Sequence, residues 1–159
     1  MRLGLAVARL ASAAWVGAAM LFVITAVREV RHPGFDSATK DTLALLRFPV
    51  YYAVGFVVVA AALAGSAIAL IGRKKGERRL IVAASWLLGL VLVLMVVDFV
   101  AIYLPIVGMI TPVGRARLTE FAGYHRASIA INVCDVGLCG IAAALLCWPG
   151  KHEDNARPV

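Results

Sequence analysis

The sequence predicts an all-α fold, an integral membrane bundle of four transmembrane helices, and three observations carry that reading. First, of 159 residues 62% are hydrophobic and only 16% charged, whereas soluble domains average about 45–50% and about 25%. A mean hydropathy of +0.90 agrees. Second, four apolar runs, each long enough to cross a bilayer core of about 30 Å, are separated by polar or proline- and glycine-containing connections. Third, the last run carries a polar stripe. His125, Ser128, Asn132, Asp135 and Cys139 are spaced by three, four, three and four residues. At 3.6 residues per turn they share an arc of about 80° on one helix face. Lipid cannot satisfy such a stripe, so it must face protein or water. Residues 1–150 then form one membrane domain, with spans at about 8–27, 49–71, 80–104 and 119–148, and residues 151–159 a short polar cytoplasmic tail.

The first span follows Arg2 and Arg9. A cleaved signal peptide would use Arg2 as its charged start and Ala11-Ser12-Ala13 as its processing site. Arg9 interrupts that apolar core, and the run continues to Val27, which favours a retained span. Ala13 with Gly17, and Ala14 with Ala18, offer small residues at the four-residue spacing that lets helices approach closely. The connection 28–48 contains Pro33-Gly34, a turn signal, and Asp36-Ser37, a helix-capping pair. These predict a short helix to Leu46, lying at the membrane surface or folded over the bundle.

Pro49 is expected to open the second span, which runs to Ile71 without a formal charge. Tyr51 and Tyr52 sit where an interfacial aromatic belt would place them. The loop 72–79 carries five positive charges and one negative charge. The excess of Lys and Arg in cytoplasmic loops puts this loop, and so both termini, in the cytoplasm. The count of Lys and Arg on that side is 9 against 7 on the other, so the density of the short loop decides the orientation. The third span, from Leu80 to Leu104, encloses Asp98 and is followed by Pro105, a predicted break or kink. Thr111-Pro112 reads as a cap and start that would project the fourth helix outward. Pro149-Gly150 ends it.

Several chemistries compete for the polar residues. Asp98 and Arg126 fall at similar depth and form a candidate ion pair, with His125 as an alternative partner. The stripe can glue helices together, interhelical polar bonds averaging about 0.6 kcal/mol. It can also line a path for an ion or small solute through His125, Ser128, Asn132 and Asp135. A metal or haem site would draw on His125 and His32, with Asp98 and Met109 as further ligands, but no paired-histidine spacing supports it. Cys134, Cys139 and Cys147 contain no CxxC pair, and no nucleophile–base pair indicates hydrolysis. The net charge of +7 sits at the ends of apolar runs, which assigns it to topology and lipid headgroups and not to nucleic acid.

Phe121-x3-His125-x2-Ser128-x3-Asn132 resembles the signature of the transmembrane-protein-205-like family of small four-span membrane proteins. Trp15-Val16-Gly17 with Met20-Leu21-Phe22, and Phe48-Pro49-Val50-Tyr51-Tyr52, resemble that family's first span and its entry to the second. Arg126, where a small residue is expected, and Asp135 depart from the pattern. The resemblance implies four helices and membrane residence, without a settled activity. A fainter likeness to integral copper-resistance domains does not by itself carry copper binding. The expectation is therefore a non-enzymatic, cofactor-free protein of a bacterial inner membrane. It would be an accessory subunit that meets lipids and packs against other integral membrane proteins or itself. The alternative is a transporter or channel-like protein for a metal ion or small solute.

Overall fold

Among the described residues four helices are long and apolar enough to cross a membrane, and all regular structure there is helical. The computed structural model describes residues 2–73 and 75–148. The predicted cytoplasmic tail at 151–159, the Pro149-Gly150 stop and Lys74 of the basic loop lie outside the described residues. Helix α1 spans Arg2–Val30 and α2 spans Ser37–Ala69. The third span is compound: α3 (Lys75–Val97), a π-helical turn (Asp98–Tyr103) and α4 (Leu104–Ile110). Helix α5 spans Phe121–Cys147. Helix α1 packs against α2 and α5, and α3 packs against the same two, so the four spans form an antiparallel ring. One end of the ring carries the connections 31–36 and 111–120 and is called here the connection end. The other, the basic end, carries the turn at 70–72.

The structure joins what the sequence separates. Pro49 lies inside α2 and does not start it, so the expected surface helix from Ser37 is the first third of a 33-residue rod. At 1.5 Å per residue that rod is about 50 Å long, well beyond a hydrocarbon core of about 30 Å. Its start is the predicted one. Asp36 is the N-cap, and its Oδ1 accepts from the Thr39 N–H at 2.7 Å. Hydrogen bonds from the Thr39 side chain and backbone hold the Asp36 carboxyl below its ordinary value of 3.8. A lowered pKa in the folded state means the cap's contribution is complete above that ordinary value and is lost as pH falls through the lowered one. Acidification should therefore lower the protection factor of the Thr39 amide, measured against its intrinsic exchange rate, and Asp36→Ala should show the low factor at every pH with that response gone.

Pro105, a predicted break, is also absorbed. It is the second residue of α4. In a regular α-helix its missing N–H and its ring would disturb the carbonyl four residues earlier, Ala101. The preceding turn is π-helical, with the Leu104 N–H bonded five residues back to the Phe99 carbonyl, and this wider turn accommodates the ring. Thr111-Pro112, in contrast, starts no helix. Its peptide bond is cis, and the chain stays non-helical until α5 begins. This connection is fastened to α2 by Asp41, 2% exposed. One carboxylate oxygen pairs with Arg117 and the other accepts from the Gly114 N–H at 3.0 Å.

The inward stripe of α1 is Gly4, Ala8, Ser12, Trp15 and Ala19. The small pairs Ala13 with Gly17 and Ala14 with Ala18 lie outside this stripe, on exposed faces of α1. The difference is about 100° of helix rotation per residue, and Trp15, the bulkiest apolar group nearby, decides which face turns in. Arg9 does not snorkel to solvent alone. Its Nε donates to the Leu146 carbonyl at 2.7 Å, filling an acceptor that the last turn of α5 leaves open and placing a cation at that helix's negative end. The core between the helices is built by Val59, Leu88, Val91, Met95, Cys139 and Leu146, with Ser66 and Ser85 bonded across α2 and α3 at 2.8 Å.

Candidate functional site: a buried polar cluster around Asp98

Asp98 is the first residue of the π-turn and is 1% exposed. Three side chains from two other helices converge on its Oδ2. The Tyr52 hydroxyl donates at 2.6 Å, the Asn132 amide at 3.0 Å and the Ser128 hydroxyl at 3.3 Å. Asn132 extends the network: its Oδ1 accepts from the Tyr51 hydroxyl at 2.8 Å, and its amide also bonds the Ser128 carbonyl at 2.9 Å. Ser128 and Asn132 are one turn apart on α5, which is why both reach one oxygen. Asp98 Oδ1 is buried without a partner, as is Oδ1 of Asp135, 4% exposed and one turn further along α5. Among the described residues no Lys, Arg or His bonds either carboxyl group.

An aromatic layer closes this cluster from the connection end. Phe22 stacks on Tyr51 at 4.3 Å between ring centroids, and Tyr52 meets Phe99 at 5.1 Å and Tyr103 at 5.0 Å. The layer explains a correction to the reading of the tyrosines. Tyr51 and Tyr52 are 8% and 3% exposed and belong to the core, not to an interfacial belt. Counted from Pro49 they look superficial; counted from the true start at Ser37 they are four turns deep in α2.

The predicted stripe is thus divided. Ser128, Asn132, Asp135 and Cys139 face inward, and Cys139 donates to the Ser12 carbonyl on α1 at 3.6 Å. His125 is exposed and stacks on Phe121 at 5.8 Å, away from the bonded cluster. The expected Asp98–Arg126 ion pair is replaced. Asp98 is occupied by Tyr52, Ser128 and Asn132, while the exposed Arg126 donates from Nε to the Ala122 carbonyl of its own helix at 3.3 Å. Residues 125 and 126 are exposed on the first turns of α5, whereas Ser128 and Asn132, further along, reach Asp98. His32, the other candidate metal ligand, accepts from the Gly34 N–H through Nδ1 at 3.1 Å and packs on Phe35. Each imidazole therefore has its own local setting. No group of three or more His, Cys, Asp or Glu side chains among the described residues is placed to hold a metal ion.

What the cluster can do chemically follows from its bonds. It ties α2, the π-turn and α5 together through one acceptor atom, a strong cross-brace inside a low-dielectric bundle. The Oδ1 atoms of Asp98 and Asp135 are polar capacity that this network leaves unused. Comparison with protein-family models, with curated proteins and with solved structures returns no match, so the functional reading rests on this geometry.

Proposed function

We propose that this chain is a non-enzymatic accessory subunit of a bacterial inner membrane, with both termini in the cytoplasm, that packs against other integral membrane proteins. The observation that carries this reading is the bonded state of the α5 stripe. Ser128 and Asn132 spend their polar atoms on Asp98 and Tyr51, which is the pattern of helix glue. Small residues turned outward add support: Ala13, Ala14, Gly17 and Ala18 are exposed on α1, and a Cβ added at Gly17 meets nothing within 4 Å. Such faces admit a partner helix at short range. The dense basic loop supports the orientation.

The test is extraction in mild detergent, native purification and mass spectrometry of the full chain. A larger membrane protein is expected at constant stoichiometry and should be lost from Gly17→Leu, whose added side chain blocks the face. A lone or purely self-associated chain would overturn the proposal. In that event the second reading, a path for an ion or small solute, takes its place. It is favoured by the free oxygens of Asp98 and Asp135, since unpaired acidic groups within membrane spans commonly mark ion pathways.

A further inference from the structure

Among the described residues three carboxyl groups are buried, those of Asp41, Asp98 and Asp135. Two of them are answered. Asp41 meets Arg117 and the Gly114 N–H, and Asp98 receives three donors on Oδ2. Asp135, 4% exposed, accepts no hydrogen bond from a described residue and pairs with no Lys, Arg or His among them. It stands twelve residues from the nearer end of α5, about 18 Å of helix rise, and so near the middle of its span.

The groups around Asp135 are acidic or neutral. Asp98 of the π-turn and Tyr51 of α2 lie within electrostatic reach of it, as does Cys139, one turn further along α5. The buried stripe of α1, which packs against α5, is Gly4, Ala8, Ser12, Trp15 and Ala19 and carries no charge. An ionised Asp135 would be an anion without a donor in the interior of a membrane bundle, beside a second carboxyl group. Two carboxyl groups so placed share a single negative charge, and it falls on the one that has the donors, Asp98. What neutralises Asp135 must then be a bound cation. A metal ion needs several ligands around one point, and no group of three or more His, Cys, Asp or Glu side chains is assembled among the described residues. A proton needs one oxygen. We infer that Asp135 is a proton site near the middle of the membrane, its carboxyl group holding a hydrogen ion while Asp98 carries the charge of the pair. Release of that proton would set a second charge beside Asp98, so occupancy of the site is linked to the helix contacts made there. The inference is independent of whether the chain is an accessory subunit.

Infrared spectroscopy of the full chain in dodecyl maltoside, a detergent without a carbonyl group, tests it at neutral pH, where exposed carboxyl groups are ionised. The parent should show a carboxylic-acid C=O stretch that moves in heavy water and moves again when the aspartate carboxyl groups carry heavy carbon. This measurement needs no variant, and absence of such a band would overturn the proton site. Asp135→Asn, isosteric with the acid form, should lose the band, and Asp98→Asn should keep it. A band that survives in Asp135→Asn would overturn the assignment to Asp135. Loss from both variants would mean a proton shared between the two carboxyl groups, which overturns it as well.

Discussion

Asp98→Ala is expected to destabilise the bundle by about 2–4 kcal/mol, while Asp98→Asn keeps it near the parent. The estimate counts three interhelical bonds of about 0.6–1.7 kcal/mol each, the range found within membranes. Alanine removes the acceptor shared by Tyr52, Ser128 and Asn132 and leaves those donors buried and unsatisfied, the costliest way to lose a hydrogen bond. Asparagine places an amide oxygen where Oδ2 stands, so the same three donors keep a target. Its amide nitrogen falls where Oδ1 already lacks a partner. It also removes a carboxyl group from the membrane interior, which favours the folded state. The measurement is the unfolding midpoint in mixed micelles, followed by tryptophan fluorescence. A parent-like midpoint for Asp98→Ala would show that the network holds nothing together. The same pair of variants separates the two functional readings. An assembly role survives Asp98→Asn, since the cross-brace remains. A role that needs the carboxyl group itself does not.

The fold class was legible because membrane solvation leaves few choices: four long apolar runs must be helices that satisfy their own backbone. The inner face of α5 was legible from spacing alone, for Ser128, Asn132, Asp135 and Cys139, because a helix repeats at a fixed angle. His125 obeys the same angle yet stands outside, since periodicity reports direction around a helix and says nothing of where along its length the neighbours begin. The partners of Asp98 were not legible. Depth was counted from Pro49, and a proline that opens a soluble helix can sit within a membrane one, where neighbouring helices re-satisfy the backbone. That offset puts Tyr51 and Tyr52 at the interface, while Arg126 is the apparent partner because its depth in the fourth span matches that of Asp98 in the third. A buried acid in one span with two adjacent tyrosines in another is a signal that could have corrected it. The π-turn at Asp98 was marked only indirectly, by Pro105 seven residues on.

Gly65→Val is expected to separate α1 from α2 at the basic end and to cost about 3 kcal/mol, the upper part of the usual range for overpacking. A Cβ at Gly65 would lie 2.7 Å from the Gly4 carbonyl oxygen and 3.0 Å from the Ala8 nitrogen; one at Gly4 would lie 2.8 Å from the Gly65 carbonyl oxygen. These obstacles are backbone atoms, so no rotamer change relieves them and the helices themselves must move. Movement there also strains the neighbours, because Arg9 on the same stretch of α1 is bonded to the Leu146 carbonyl of α5. Gly137→Ala is the matched control. It lies on an exposed part of α5 with nothing within 4 Å of the added carbon. Replacing a mid-helix glycine there should be neutral or stabilising by up to ~1 kcal/mol through helix propensity alone. Unfolding midpoints of the two variants should therefore move in opposite directions. Equal midpoints would mean that α1 and α2 do not touch through their backbones at Gly4 and Gly65.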